Sequence, residues 1–297
     1  MALASREAIA WFNRVNGGDL SERDRAAFDD WLKRDPAHLQ AYQHIEQLWN
    51  GLSALPGERR RGLTRRHLGK AALALAIAGG AWSAYRLHPF ADYRTGTGER
   101  KAVTLPDGSR IELSTATALS IDFDGQDRLV TLHGGEVFFD VASVPGRAFV
   151  VATSRGRITA LGTAFAIADA DDRLVVTVTQ HAVQVEAGGR SQRVEAGLQS
   201  VLDARGIGAP TPVDAADVLA WREGRLIFVN APLERVIGVL NRWRKDRLIL
   251  MSRSMAARPV TLIVNLEDVE SALLHLQDAL DLEATHVTPL MTFVYGR

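Results

Sequence analysis

Thr64–Pro89 reads TRRHLGKAALALAIAGGAWSAYRLHP, the only long apolar run in a chain of 297 residues. No residue from Ala71 to Tyr85 is charged, and Lys70 and Arg86 bracket the run. With Leu68 and Leu87 included, the segment reaches about the twenty residues a helix needs to cross a ~30 Å hydrocarbon core. A run this short also suits a buried core helix or the apolar part of an export signal. Three features favour the membrane. Arg59, Arg60, Arg61, Arg65 and Arg66 crowd the N-terminal flank, with only Arg86 and His88 close on the other side. The positive-inside bias then places the N-terminus in the cytoplasm and the C-terminal part outside. The run carries no helical stripe of polar residues, and Trp82 and Tyr85 stand near its far end, where amphipathic rings favour an interface.

The expectation is an uncleaved transmembrane helix over 68–87, after a basic linker over 56–67. Thr64-Arg65-Arg66-His67-Leu68 also has the form of a twin-arginine export signal. Outward from this divide the chain has two characters. Its 35 basic and 35 acidic residues balance, so no global attraction to nucleic acid follows. The absence of cysteine excludes disulfides, thiolate catalysis and Cys-based zinc sites.

Before the divide, residues 1–55 read as a small all-α bundle. Ala8, Trp11, Phe12 and Val15 recur at helical spacing, Ala27, Phe28, Trp31 and Leu32 give a second stripe, and Leu39, Tyr42, Ile45, Leu48, Trp49 and Leu52 a third. Asp35-Pro36 starts the last helix, Asp as N-cap and Pro in the first turn. Three such helices make a marginal core, which gains stability from a further helix or by docking on a partner.

After it, residues 93–205 read as a β-rich sandwich or barrel. Lys101–Leu105 leads into the turn Pro106-Asp107-Gly108-Ser109, and Arg110–Leu113 alternates polar and apolar. Further strands are expected at Ala118–Phe123, Arg128–His133, Glu136–Val141, Phe149–Thr153, Gly156–Ala160, Ala164–Ala168, Leu174–Thr179, Ala182–Glu186 and Arg193–Val194. Gly134-Gly135 and similar pairs punctuate them. Residues 216–297 read as one α+β module of order β-α-β-β-α-β-β, with helices over 232–245 and Leu266–Leu280.

No catalytic constellation stands out. The eight histidines show no HExxH or other metal-ligand spacing, and there is no P-loop and no GxSxG elbow, so no cofactor and no metal is expected. Asp122, Asp124 and Asp127 flank Gly125 but lack the later bidentate Glu of a calcium loop. Gly162-Thr163 sits at a tight turn between two expected strands. There a Thr hydroxyl can attack the preceding carbonyl in an N-to-O acyl shift that ends in chain cleavage, and Gly supplies access and backbone freedom. The plain alternative is a hairpin that Thr closes with a hydrogen bond.

Taken together these residues resemble the FecR-like family of transmembrane sensors, anti-sigma factors of bacterial cell-surface signalling. Ala10-Trp11-Phe12, Phe28-Asp29-Asp30-Trp31-Leu32, Asp35-Pro36 and His38 through Ala41-Tyr42 resemble its helical anti-sigma domain. Val103–Ser109, Gly135–Val141 and Ala160–Phe165 follow its signature order. Trp221, Gly224, Leu226, Phe228, Pro232-Leu233, Val236 and Leu240–Trp243 resemble its C-terminal module, which is similar to the short domain of secretins and TonB-dependent receptors. Gln180-His181-Ala182 departs from the acidic residue and Gly usual there. The resemblance implies a single-pass protein of the bacterial inner membrane, its N-terminus cytoplasmic and its C-terminus periplasmic. It implies two partners, an extracytoplasmic-function sigma factor and a TonB-dependent outer-membrane transducer loaded with an iron chelate. Self-cleavage at Gly162-Thr163 is implied as well. Trp11, Phe28, Trp31 and Trp49 are then candidates for sigma-factor contact, since Trp and other aromatics dominate interface hot spots. The rival readings are a membrane-anchored β-domain binding a cell-wall polysaccharide and an exported enzyme of unrecognised type.

Overall fold

The computed structural model describes residues 7, 8, 11, 15, 22–43, 90–170, 172–288 and 290–296. The expected transmembrane helix 68–87, the linker 56–67 and Trp49 lie outside the described residues. The chain divides into two units, one of Met1–Arg86 with Asp246–Arg258 and Leu274–Arg297, the other of Leu87–Lys245 with Pro259–Leu273.

In the first unit, helix α1 spans Glu22–Arg34, with Glu22 and Asp24 in its first turn and Lys33 and Arg34 in its last, both matched to the helix dipole. Residues 36–43 are again helical. Asp35 makes the break, its Oδ1 accepting the Ala37 N–H at 2.8 Å.

In the second unit fourteen strands form one sheet: β1 (Tyr93–Arg94), β2 (Lys101–Thr104), β3 (Arg110–Leu113), β4 (Ala118–Asp122), β5 (Arg128–Asp140), β6 (Phe149–Ala152), β7 (Arg157–Ala160), β8 (Ala164–Ala170), β9 (Arg173–Gln180), β10 (Ala182–Ala187), β11 (Arg190–Glu195), β12 (Leu198–Asp203), β13 (Gly206–Ile207) and β14 (Thr211–Pro212). Its main order is β11-β10-β7-β6-β5-β8-β9-β12-β13. The pivot is β5. Its first half pairs with β4 and, in parallel, with β6, while its second half pairs with β3 and β8. Inward residues along it are Val130 and Leu132, then Val137 and Phe139, so the two-residue alternation changes phase at Gly134-Gly135. The sequence reading of two strands there is corrected: the chain turns through Gly135, at φ +95°, without ending the strand. Phe139 stacks on Phe165 at 5.1 Å and meets Phe149 edge-on at 5.8 Å in the centre of the core.

The C-terminal residues supply β15 (Arg225–Pro232), α2 (Leu233–Trp243), β16 (Arg247–Leu250), β17 (Pro259–Asn265), α3 (Ser271–Leu280), β18 (Leu282–Thr288) and β19 (Met291–Gly296). They do not make the single module expected. One sheet is β15-β17 and another is β16-β19-β18, with β16 parallel to β19. The first lies in the second unit, the other in the first unit.

The expected fold class of helical bundle, membrane helix, β-domain and separate α+β module is therefore corrected. Among the described residues the protein is mostly β, 45% strand, and is dominated by a nearly closed, barrel-like sheet. Nor does the described N-terminal part form a bundle with a core of its own. Ala8, Trp31 and Tyr42 share one buried cluster with Met291, Phe293 and Tyr295 of β19. A marginal aromatic face has been covered by a sheet. Against the expected single-pass inner-membrane localisation stands the finding that no helix among the described residues is long and apolar enough to cross a membrane; the expected span 68–87 lies outside them.

Candidate functional site

The aromatic face of α1 is built by spacing. Phe28 and Trp31 are three residues apart and so fall on one side of the helix. Their rings lie 6.3 Å apart, and Trp11 reaches both, 5.5 Å from Phe28 and 6.4 Å from Trp31. Trp31 is buried, whereas Trp11 and Phe28 keep part of their surface. The Trp31 indole N–H donates to Glu7 Oε2 at 2.6 Å, and the His38 ring stacks on the indole at 4.5 Å. Three of the four candidate sigma-contact residues thus come together, Trp31 as core and Trp11 and Phe28 at its margin.

Gly162 and Thr163 lie in the three-residue connection from β7 to β8. Leu161 before them is 75% exposed. Gly162 holds φ +115°, and a Cβ added there would stand 3.0 Å from the Ser143 Cβ, so both its angle and its space call for glycine. Thr163 is buried. Its carbonyl accepts the Val141 N–H at 3.0 Å, but its hydroxyl has no hydrogen-bond partner. The carbonyl bond ties the connection to the residue after β5, and β7 and β8 do not pair with each other, so this is no hairpin closed by Thr163. A buried hydroxyl with no bond forgoes about 1–3 kcal/mol, which makes the unused Oγ1 notable.

A third cluster escaped the sequence reading. Glu136 leads the apolar run Val137-Phe138-Phe139, and a carboxylate beside such a run is the signal that could have marked it. Its Oε1 accepts the Trp221 indole N–H at 2.7 Å, and Arg242 Nη2 stands 3.7 Å from Oε2. Burial pushes the Glu136 carboxyl up, opposed by the Arg242 charge and the Trp221 bond. Around it, Arg100 donates to the Trp221 and Arg222 carbonyls at 2.8 and 3.0 Å. The Thr115 hydroxyl donates to the Arg242 carbonyl at 2.9 Å. Arg222 lies over the Phe138 ring at 3.7 Å and pairs with Glu112 at 2.5 Å. These bonds fasten the 310 turn Ala220–Glu223 and the end of α2 to the large sheet.

The Asp122–Asp127 loop has its carbonyls occupied. Arg147 donates to those of Phe123, Gly125 and Gln126 at 2.6, 2.9 and 3.2 Å, so a guanidinium fills the place a cation would take.

Residues 91–184 match the family described as FecR protein, and residues 6–48 match a domain of unknown function, DUF4880. Two crystal structures of a protein from Parabacteroides distasonis, described provisionally as an anti-sigma factor, are similar in fold. Both are 26% identical and cover 69% of this chain and 98% of theirs, with TM-scores of 0.62 and 0.61. No curated protein matches. The first match spans the strands from β1 to the middle of β10, including the Asp107 turn, the β5 pivot and the Gly162-Thr163 connection. What the chain shows by this match is a FecR-like region over residues 91–184.

Proposed function

We propose that this chain is an anti-sigma factor and signal transducer that holds an extracytoplasmic-function sigma factor. The observation that carries this is the FecR match over residues 91–184, on a fold shared with a protein described as an anti-sigma factor. The aromatic face of α1 is the sigma-contact surface, with Trp11 and Phe28 at its accessible margin. The signal arrives from a TonB-dependent transducer loaded with an iron chelate. Co-purification of the full chain with a co-expressed sigma factor tests the reading. Trp11→Ala should weaken capture about tenfold or more, as loss of a hot-spot aromatic does, while leaving the thermal melt of the large sheet in place. Unchanged capture by that variant would remove Trp11 as an anchor. Failure of the wild-type chain to hold any sigma factor would sink the anti-sigma reading itself.

The unbonded Thr163 hydroxyl next to a glycine at φ +115° favours a second property, self-cleavage between Gly162 and Thr163. Thr163 Oγ1 adds to the Gly162 carbonyl carbon, the Gly162–Thr163 C–N bond breaks, and the hydroxyl proton passes to the freed Thr163 nitrogen. The resulting ester takes up water to leave a Gly162 carboxylate and a Thr163 amino terminus. Two fragments meeting at this bond are expected on an immunoblot of the full chain, and Thr163→Ala should abolish them. Persistence of the same pair would exclude Thr163 as nucleophile.

A further inference from the structure

One long edge of β17 is open. Among the described residues this strand pairs only with β15, in a sheet of two strands. Two strands alone are marginal, and three or more make the usual stable sheet. The direction of its free groups follows from the ladder. The Leu266 N–H donates to the Gly224 carbonyl at 2.8 Å, on the β15 side. Main-chain groups alternate in direction along an antiparallel strand, so Val264 and Leu262 also bond toward β15. Ile263 and Thr261 then aim their N–H and C=O at the open edge. Pro259, which has no N–H to offer, falls on that same edge, where proline is tolerated.

This edge lacks the charges that ordinarily keep exposed strands apart. Arg190, Arg193 and Glu195 guard β11 and Glu283 stands on β18, but no residue from Pro259 to Leu266 is charged. Ile263 is 61% exposed, and Leu262 is only half-buried between the buried Val260 and Val264. The run Val260-Thr261-Leu262-Ile263-Val264 reads nearly alike in both directions. Laid antiparallel on a second copy about Leu262, it sets Val260 on the partner's Val264 and Thr261 on the partner's Ile263. Cross-strand β-branched pairs of this kind are stabilising. Thr261 and the partner's Ile263 exchange both main-chain bonds, and the two-fold repeats them. The ends match in charge as well. Arg258 precedes the strand and Glu267 follows it, so antiparallel pairing brings a basic end to an acidic one twice.

We propose that β17 is a homodimerisation edge: two copies of this chain pair their β17 strands antiparallel about a two-fold axis at Leu262, so that two sheets of two strands become one of four. The inference does not rest on the anti-sigma reading, since β17 includes neither the aromatic face of α1 nor the Gly162-Thr163 connection.

Sedimentation equilibrium of the full chain tests it. The mass should rise from one chain to two between about 1 μM and 1 mM, the range suited to a small interface. Ile263→Lys and Ile263→Glu each set like charges on a diagonal across the axis, about 7–8 Å apart, and each alone should weaken the dimer about fivefold or more. Mixing the two variants in equal amounts should restore it, because the diagonal then holds opposite charges. Mixing cannot repair a folding defect, so restoration separates a lost interface from a lost fold. A single-chain mass up to about 1 mM, undiminished association of either variant alone, or no gain on mixing would overturn the proposal.

Discussion

Arg128→Ala is expected to remove about 3–5 kcal/mol of folding stability, the cost of leaving one partner of a buried ion pair uncompensated. Arg128 is fully buried at the start of β5. Its Nη1 donates to Asp107 Oδ2 at 2.6 Å and to the Ala142 carbonyl at 2.8 Å, and Nη2 donates to the Arg147 carbonyl at 3.1 Å. The guanidinium also lies 5.3 Å from the centre of the Phe149 ring. Asp107 in turn accepts the Ser109 hydroxyl at 2.7 Å, and that hydroxyl accepts the Ala142 N–H at 3.0 Å. One side chain therefore ties the β2–β3 turn to the β5–β6 connection, two segments far apart in sequence. Alanine would strand a buried carboxylate and two carbonyls together. Arg128→Lys keeps the charge but has no fork to divide among three acceptors, and about 2 kcal/mol should be lost.

The pH dependence of that loss has a definite sign. Burial by itself would raise the Asp107 carboxyl, but the Ser109 hydroxyl and N–H and the Arg128 guanidinium outweigh it and hold the group below its ordinary value of 3.8. A carboxyl lowered on folding adds stability above its unfolded value and loses it as pH falls through the folded one. The gap between wild type and Arg128→Ala should thus be full at pH 7 and narrow as the pH drops below about 3.8. Chemical denaturation followed by far-UV circular dichroism measures both. A loss under about 1 kcal/mol at pH 7 would refute the assignment of this node.

Much of the large sheet was legible because a half-buried strand writes its period of two into the sequence. Arg110–Leu113 and Ala182–Glu186 could be placed for that reason, and Pro106-Asp107-Gly108-Ser109 because turn residues name their own geometry. Pairing was not legible, since the alternation says which face is inward and not which strand lies alongside. The C-terminal strands show this: their positions were readable, but β15 pairs with β17 and β16 with β19, across intervening elements. The strands β13 and β14, two residues each, are too short to carry a period. The helical spacing of Phe28 and Trp31 likewise predicted a buried face without saying that β19 would cover it. At the candidate sites the outcome divides the same way. Gly162-Thr163 is a local signal and could be found. The cluster of Glu136, Trp221 and Arg242 joins residues about a hundred positions apart and only the fold assembles it.

The phase change in β5 leads to the second large effect. Gly135→Ala is expected to cost about 3 kcal/mol or more, by the sum of two independent penalties. At φ +95° an L-residue is outside its allowed regions, which costs about 1–2 kcal/mol. A Cβ there would also stand 2.3 Å from Thr117 Oγ1 and 2.5 Å from the Thr117 Cα, and overpacking of this kind adds typically about 1–3 kcal/mol. Thr117 cannot easily retreat. It is almost fully buried, its hydroxyl accepts the Glu136 N–H at 3.0 Å and donates to the Thr115 carbonyl at 3.1 Å, and its N–H donates to the Thr95 hydroxyl at 3.0 Å. The neighbour provides the control. A Cβ on Gly134 would meet nothing within 4 Å, so Gly134→Ala should change stability by less than about 1 kcal/mol. The same denaturation experiment on the two variants separates the cases. If both alanines cost alike, the bend in β5 is not held by the close approach of Gly135 to Thr117, and the long strand must owe its turn to the bulge opposite Ala118 instead.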